Sequence, residues 1–367
     1  VILLLHHRYR VPGGEERAVE DLAWLIPREL GEPAEVLTRD SSAVSAPRAA
    51  AGLLAGGLRP GEVADAVRRT GARVVHAHNV TPTLGWRALA AAREAGARVV
   101  LHLHNYRLVC AVGTCFTRGA DCTRCHGRDT RPGLRLNCRG GSRAEAAAYA
   151  ASLALWQRRL TDAADALVVP SAFALGRLQA LGAPVGDTAR VIPSVQREFA
   201  AASGAARGEF ALYAGRLSPE KGARDAIAAC AAAGVELVVA GDGPQAAELR
   251  AAAPPGVTFA GHVGREELAD LRARAALAIV PSRYAEILPL AALEAMAAGL
   301  PVAAPRAGGL AEAVPDEGLY APGDVAALTE RVQALYGDAA AGERALASVR
   351  ERTAPERIAA ALRELYS

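Results

Sequence analysis

Lysine is almost missing from this chain of 367 residues: Lys221 is the one lysine among 42 lysines and arginines. Aromatic residues make up only 4%, and methionine occurs once. No block of basic residues with interleaved aromatics is present and the formal net charge is +3, so nucleic acid is not expected as a partner. No apolar run reaches the ~20 residues that span a bilayer. The opening VILLLHHRYR is too short for a span and lacks the positive leader of a signal peptide. It reads as a buried first strand, and the expected location is cytoplasmic. No strongly basic amphipathic helix is seen, so membrane association is expected to be peripheral at most. The first residue is valine, so a residue or more is expected to precede it. The excess of alanine and arginine suggests GC-rich bacterial coding.

What is abundant is hydrophobic residue, 51% of the chain, enough for sizeable cores. At roughly 150 residues per domain the length suits two domains. Short β-branched runs predict strands at Val1–Leu5, Arg73–Ala77, Arg98–Leu103, Ala166–Val169, Phe210–Ala214, Val235–Ala240, Leu277–Val280 and Pro301–Ala304. Between them, amphipathic patterns predict helices at Glu15–Leu30, Leu84–Ala95, Arg143–Ala163, Ala223–Ala233, Arg265–Ala275 and Leu290–Ala298. Such alternation implies parallel sheets covered by helices on both faces. The pattern breaks in the Ala-, Gly- and Ser-rich stretch from Ser194 to Glu209, which reads as a linker. The expectation is therefore an α/β protein of two doubly wound, Rossmann-like domains facing across a cleft. The first covers 1–197 and carries a cysteine-rich loop at 110–138. A linker follows at 198–209, a second domain at 210–350, and within 351–367 a final helix, Pro355–Tyr366, able to pack on either domain. Open parallel sheets bind ligands beyond the carboxyl ends of their strands.

Three segments converge on that edge. In YAGRLSPEKG (213–222) a strand ends at Gly215, and Arg216 and Lys221 follow on a turn. A planar guanidinium and a compact ammonium at one spot suit a diphosphate. An isolated pair of this spacing is more often a solvated turn. In the segment from Ser282 to Val302, Pro289 fits the first helical position and Gly299 the residue past the helix end. The N–H groups of Leu290 and Ala291 are then expected to be unpaired at a positive helix terminus, a ready anion site. Glu286 lies before that helix and Glu294 one turn in. Carboxylates accept hydrogen bonds from vicinal diols, so the pair suggests sugar hydroxyls; singly, each also suits a dipole-complementing or exposed helix residue. Finally, Gly13-Gly14 joins the first strand to the first helix in VPGGEERAV (11–19), allowing close backbone approach to a phosphate or sugar. It lacks the spacing of a dinucleotide fingerprint.

Five of the six cysteines fall between Cys110 and Cys138, with Cys122 and Cys125 spaced C-x2-C beside His126. In a reducing cytosol such a cluster more often binds metal than forms disulfides, and four thiolates on Zn2+ would pin a long irregular loop. Free buried thiols and disulfides are the alternatives. Cys230 reads as a core residue. His78 suits either a ligand-facing position or a satisfied core, and His6, His7, His76 and His262 read with the same two alternatives.

Taken together with VVHAHN (74–79), LHLHNYR (101–107), VVPSAF (168–173), VVAGDGP (238–244), VTFAGHV (257–263), AIVPSRYAE (278–286) and EILPLAALEAMAAGLPVAA (286–304), these segments resemble the retaining nucleotide-sugar-dependent glycosyltransferases of family 4, which have the GT-B fold. The resemblance implies transfer of a sugar, with retention, from a nucleoside-diphosphate sugar (UDP- or GDP-linked) to a hydroxyl acceptor in glycan, glycolipid or secondary-metabolite synthesis. It implies that Arg216, Lys221 and the Leu290 and Ala291 N–H groups neutralise the diphosphate, that Glu286 holds the transferred sugar, and that Glu294 holds the ribose. His104 is implied near the anomeric carbon. Backbone near Phe259–Val263, including His262 and Val263, is implied at the base, with Gly215 and Gly241 also on the donor side. Leu288-Pro289 replaces the Phe-Gly of many members and removes one N–H donor. No catalytic cofactor is expected; Asp-x-Asp is absent. Some members have cysteines like Cys110, Cys122, Cys125 and Cys138, implying those four as the zinc set and leaving Cys115 and His126 spare. A nucleotide-sugar 2-epimerase and a non-catalytic zinc-stapled nucleotide-binding scaffold are the alternatives.

Overall fold

A computed structural model describes residues 1–9, 13–139, 142–186 and 189–367. The chain forms two compact units: Val1–Cys115, Cys122–Val195 and Pro355–Ser367 make the first, and Phe116–Asp121 with Gln196–Ala354 the second.

The first unit begins with β1 (Ile2–Arg8), α1 (Gly14–Leu25), β2 (Ala34–Asp40), α2 (Ala46–Ala55), α3 (Gly61–Thr70), β3 (Val74–Ala77), α4 (Gly85–Glu94) and β4 (Arg98–His102). A small hairpin, β5 (Phe116–Thr117) and β6 (Ala120–Asp121), comes next in the chain but groups with the second unit. The first unit resumes with α5 (Arg131–Arg135), α6 (Arg143–Asp162), β7 (Ala166–Val169), α7 (Ala172–Ala180) and β8 (Ala189–Val191). Its parallel sheet runs β2-β1-β3-β4-β7-β8. Ile2 to Leu5 are wholly buried, as a strand covered on both faces must be. The strand order reverses between β1 and β3, so the loops after those strands frame a ligand crevice.

The second unit continues with β9 (Phe210–Ala214), α8 (Ala223–Ala233), β10 (Leu237–Ala240), α9 (Ala246–Ala252), β11 (Val257–Gly261), α10 (Arg265–Arg274), β12 (Ala275–Ile279), α11 (Leu290–Ala297), β13 (Val302–Pro305), α12 (Gly308–Ala313), β14 (Leu319–Tyr320), α13 (Val325–Leu335) and α14 (Ala339–Thr353). Its sheet, β11-β10-β9-β12-β13-β14, is also parallel, and the order reverses between β9 and β12. Both sheets have the doubly wound, Rossmann-like form. Among the described residues, no helix is long and apolar enough to cross a membrane.

Several sequence expectations need correction. The helix expected over Glu15–Leu30 ends at Leu25 and passes into a π-turn, Ile26–Leu30, because Pro27 has no N–H for the regular ladder. Residues 198–209, expected as a linker, group with the second unit. Ala205 is wholly buried, and Ala200 N–H donates to Ala297 O at 2.8 Å. A Cβ on Gly208 would lie 2.2 Å from Ala276 N, so small residues stand here for close approach rather than for flexibility. The final helix, α15 (Pro355–Tyr366), has the expected bounds, since Pro355 ends the preceding helix. It belongs to the first unit, where Arg73 and Arg98 donate to its last carbonyls, Tyr366 O at 2.7 Å and Leu365 O at 2.9 Å.

Candidate active site

The reversal point of the second unit brings two ions together. Lys221 follows β9 and Glu286 follows β12; Lys221 Nζ donates to Glu286 Oε1 at 2.8 Å. Glu286 is buried, and Lys221 keeps about a quarter of its side chain in solvent. Ser282 Oγ donates to the same carboxylate oxygen. Burial alone would lower the lysine's pKa, but Glu286 and then Tyr284 outweigh it and raise it above its usual value. The ammonium therefore stays charged throughout the working range, and it sits 5.1 Å from the Tyr284 ring centroid. Burial pushes the Tyr284 hydroxyl up to about 12, with Glu286 adding to the shift.

The loop carrying Glu286 is fixed from two sides. Arg283 donates twice to Asp225 on α8, at 2.5 and 2.8 Å. Gly309 N–H donates to Glu286 O at 2.7 Å, an approach that only glycine allows, since a Cβ there would fall 2.4 Å from Ile287 O. Pro289 is the N-cap of α11 rather than its first helical residue, which corrects the expected register by one. Pro289 O accepts from Ala292 and Leu293, and no partner for the Leu290 or Ala291 N–H is seen among the described residues. Gly299 adopts φ 79° just past the helix, as expected. Glu294 accepts from Arg272.

Arg216 is 54% exposed and pairs with Glu220 at 2.8 Å, while Tyr213 donates to its carbonyl at 3.0 Å. Gly215 and Gly241 lie at the ends of β9 and β10, and His262 and Val263 just beyond β11, with His262 exposed. These groups share the carboxyl edge of one sheet, and Lys221 and Glu286 are joined there by a side-chain hydrogen bond.

In the first unit, Val11 and Pro12 of the glycine-loop segment lie outside the described residues. Gly13 caps α1, and its N–H is taken by Glu16 Oε2 at 2.8 Å while Tyr9 N–H donates to Oε1 at 2.9 Å. Burial would raise the Glu16 pKa, but these bonds and His6 hold it below its usual value. At the other side of the reversal point, His78 Nδ1 and His104 Nε2 share a hydrogen bond of 2.8 Å. His104 stacks on His102 at 4.0 Å, and His76 on His78 at 4.8 Å. His76 Nδ1 meets the Tyr366 hydroxyl at 2.6 Å. Burial, reinforced by neighbouring imidazoles, pushes His76 and His104 down to about 3, so this column is neutral at pH 7.

The proposed zinc set is not assembled. Among the described residues, the one group of three or more ligating atoms mutually within 4.8 Å is His76, His78 and His102. None of the cysteines forms a disulfide. Cys110 instead engages Cys115 in a hydrogen bond that, against burial, draws its thiol down to about 6. The expected spare, Cys115, is thus a partner of Cys110. Nor do the histidines suit an ion: their rings lie within 13–28° of parallel, so in-plane lone pairs do not converge.

The sequence reading passed over Ser282, Tyr284, Glu15, Asn105 and Arg107. Glu15 accepts from Asn105 at 2.7 Å and from the Tyr9 hydroxyl at 2.8 Å, and the Arg107 guanidinium lies 4.8 Å from the Tyr9 ring. Their signal was present in GGEE and HNYR, beside residues that were singled out.

Comparison with known proteins agrees with this architecture. The family described as "Glycosyl transferase 4-like domain" matches residues 7–194, and "Glycosyl transferases group 1" matches residues 209–338. Glycogen synthase of Mycobacterium tuberculosis is 41% identical over 154 residues, 38% of this chain and 37% of that protein. A GDP-mannose-dependent alpha-mannosyltransferase of the same species is 34% identical over 162 residues, 42% of each. The chain thus matches well under half the length of these relatives. Among solved structures, sucrose-phosphate synthase of Thermosynechococcus elongatus aligns with TM-score 0.71 at 20% identity, covering 100% of this chain and 98% of that one. Anabaena HepE in complex with UDP-glucose aligns with TM-score 0.63 at 20% identity, covering 99% and 98%. At such identity these likenesses show the fold.

Proposed function

The chain belongs to the glycosyl transferase 4-like family, and from that premise we propose that it moves a sugar, with retention, from a nucleoside-diphosphate sugar to a hydroxyl acceptor. The observation that carries this reading is the Lys221–Glu286 pair at the reversal point of the second sheet, beside a helix end with two open N–H groups.

In this mechanism the donor's diphosphate takes the Leu290 and Ala291 N–H groups and the outer face of Lys221. Arg216 swings from Glu220 to join them. The bond from the anomeric carbon to phosphate oxygen breaks and its electron pair stays on the diphosphate. Preorganised cations and helix N–H groups stabilise that charge as it develops. The acceptor oxygen bonds to the same face of the anomeric carbon, and its proton passes to the departing phosphate. Glu286, oriented by Lys221 and Ser282, holds donor-sugar hydroxyls. Glu294 releases Arg272 to hold the ribose. His104 meets the donor sugar near its anomeric carbon as a neutral imidazole, held by His78.

The HepE complex with UDP-glucose and the GDP-mannose-dependent relative support UDP or GDP as the donor nucleotide. The test is incubation with UDP-glucose and GDP-mannose, with and without a hydroxyl acceptor, and NMR of the product. An acceptor-dependent α-glycoside is expected from these α-linked donors. A donor altered at one carbon without transfer would point to an epimerase instead.

A further inference from the structure

The first unit contains a pocket with a cavity volume of about 110 Å3, lined in part by His104. Its lining combines two groups of side chains. Leu53 on α2, Trp86 at the start of α4, and Trp156 and Leu160 on α6 supply carbon, and the two indoles pack at 5.8 Å between ring centroids. His104, Glu15, Asn105 and Arg107 supply polar atoms, and Glu15 is already oriented by Asn105 and Tyr9. Trp156 is held by donating to Leu54 O at 3.1 Å, whereas the Trp86 Nε1–H is buried without a partner. On the same helices α2 and α6, Leu54 and Leu155 stand 47% and 54% exposed, two of the four exposed large hydrophobics among the described residues.

We infer that this pocket selects the acceptor, and that the acceptor is an amphiphile: one hydroxyl end set among Glu15, Asn105, Arg107 and His104, and an apolar body laid against Trp86, Trp156 and Leu53. An acceptor with an apolar body gains from burying that body against the indole wall. A compact hydroxyl-bearing molecule with an alkyl or aromatic body fits both halves. This inference rests on the glycosyl-transfer reading for the identity of the ligand as acceptor, but the pocket's preference for an apolar body can be measured alone.

The probe is a series of 1-alkanols from butanol to decanol, titrated into the full chain by calorimetry. Tryptophan emission serves as a second readout, since two of the three tryptophans line the pocket. Affinity is expected to rise about fourfold per added methylene until the pocket is filled. Trp86→Ala and Trp156→Ala are each expected to weaken decanol binding at least tenfold. The chain-length series on the unaltered protein stands even if a variant fails to fold. UDP and GDP binding are measured on the same sample. If nucleotide binds but alkanol affinity does not change with length, this inference is overturned and the donor reading survives. Undiminished decanol binding in both folded tryptophan variants overturns it as well. If alkanols bind with the expected slope but neither nucleotide does, the pocket assignment stands and the transfer reading fails.

Discussion

The two units share one architecture and use opposite chemistry at its equivalent place. At the reversal point of the second sheet stand ions: Lys221 with Glu286, Arg283 with Asp225, Arg216 with Glu220. At the reversal point of the first stand neutral imidazoles, His78 and His104, backed by His76 and His102 and opening on an apolar pocket. Of the eight histidines only His262 lies in the second unit, and the single lysine lies there too. On the proposed function the difference follows from what each side would meet. A leaving diphosphate needs fixed positive charge that no pH change removes, and Lys221 would serve both a buried carboxylate and a phosphate with one flexible ammonium.

The comparison breaks most visibly at Lys221. Lys221→Ala is expected to lower kcat by about 100- to 1000-fold. It also leaves Glu286 buried without its cation, at a cost of about 2–3 kcal/mol, less than for a wholly buried pair because the lysine is partly solvated. Lys221→Met combined with Glu286→Leu is expected to recover that stability in denaturant melts but not activity. Recovery of activity in the double variant would remove the ionic account.

Acid should separate the units next. The folded-state pKa of His76 and of His104 is depressed from about 6.5 to about 3. The unfolded chain therefore binds more protons between those values, so stability from these groups is full above pH 6.5 and is lost as pH falls through the window. For His76, wholly buried, the loss is about 2 kcal/mol at pH 5. Thermal melts from pH 7.5 to 4.5 should decline, and His76→Asn should flatten the decline. The same variant should leave nucleotide binding by the second unit unaltered.

Smaller effects sharpen the contrast. Glu294→Ala is expected to weaken nucleotide binding about tenfold by removing a ribose acceptor, with kcat nearly kept. Tyr366→Phe removes the hydroxyl at 2.6 Å from His76 and should cost about 1–2 kcal/mol in stability without altering donor affinity. Arg216→Gln should change stability by less than about 1 kcal/mol, since its pair with Glu220 is exposed, while slowing turnover.

The central strands of both sheets were legible because burial on two faces writes continuous apolar runs; Ala166–Val169 and Phe210–Ala214 match residue for residue. Edge strands were not. β2 reads AEVLTRD, half polar, and β11 alternates between partly exposed and exposed positions. Alanine hid α2, α13 and α14, since alanine marks neither face of a helix nor a strand. At the site, Lys221 and Glu286 could each be picked out, but their pairing across 65 residues is a product of strand order, which no local pattern encodes. Small residues at tight contacts, such as Gly208, look in sequence like those of flexible chain. For the cysteines, sequence spacing says nothing of whether thiols converge in space.

The account turns on where a bound donor places its diphosphate, so a crystal structure with UDP-glucose or GDP-mannose tests it most directly. The predicted result has phosphate oxygens within about 3.2 Å of Lys221 Nζ and of the Leu290 and Ala291 N–H groups. Nucleotide bound away from the carboxyl ends of β9 and β12, with Lys221 still held by Glu286 alone, would contradict it.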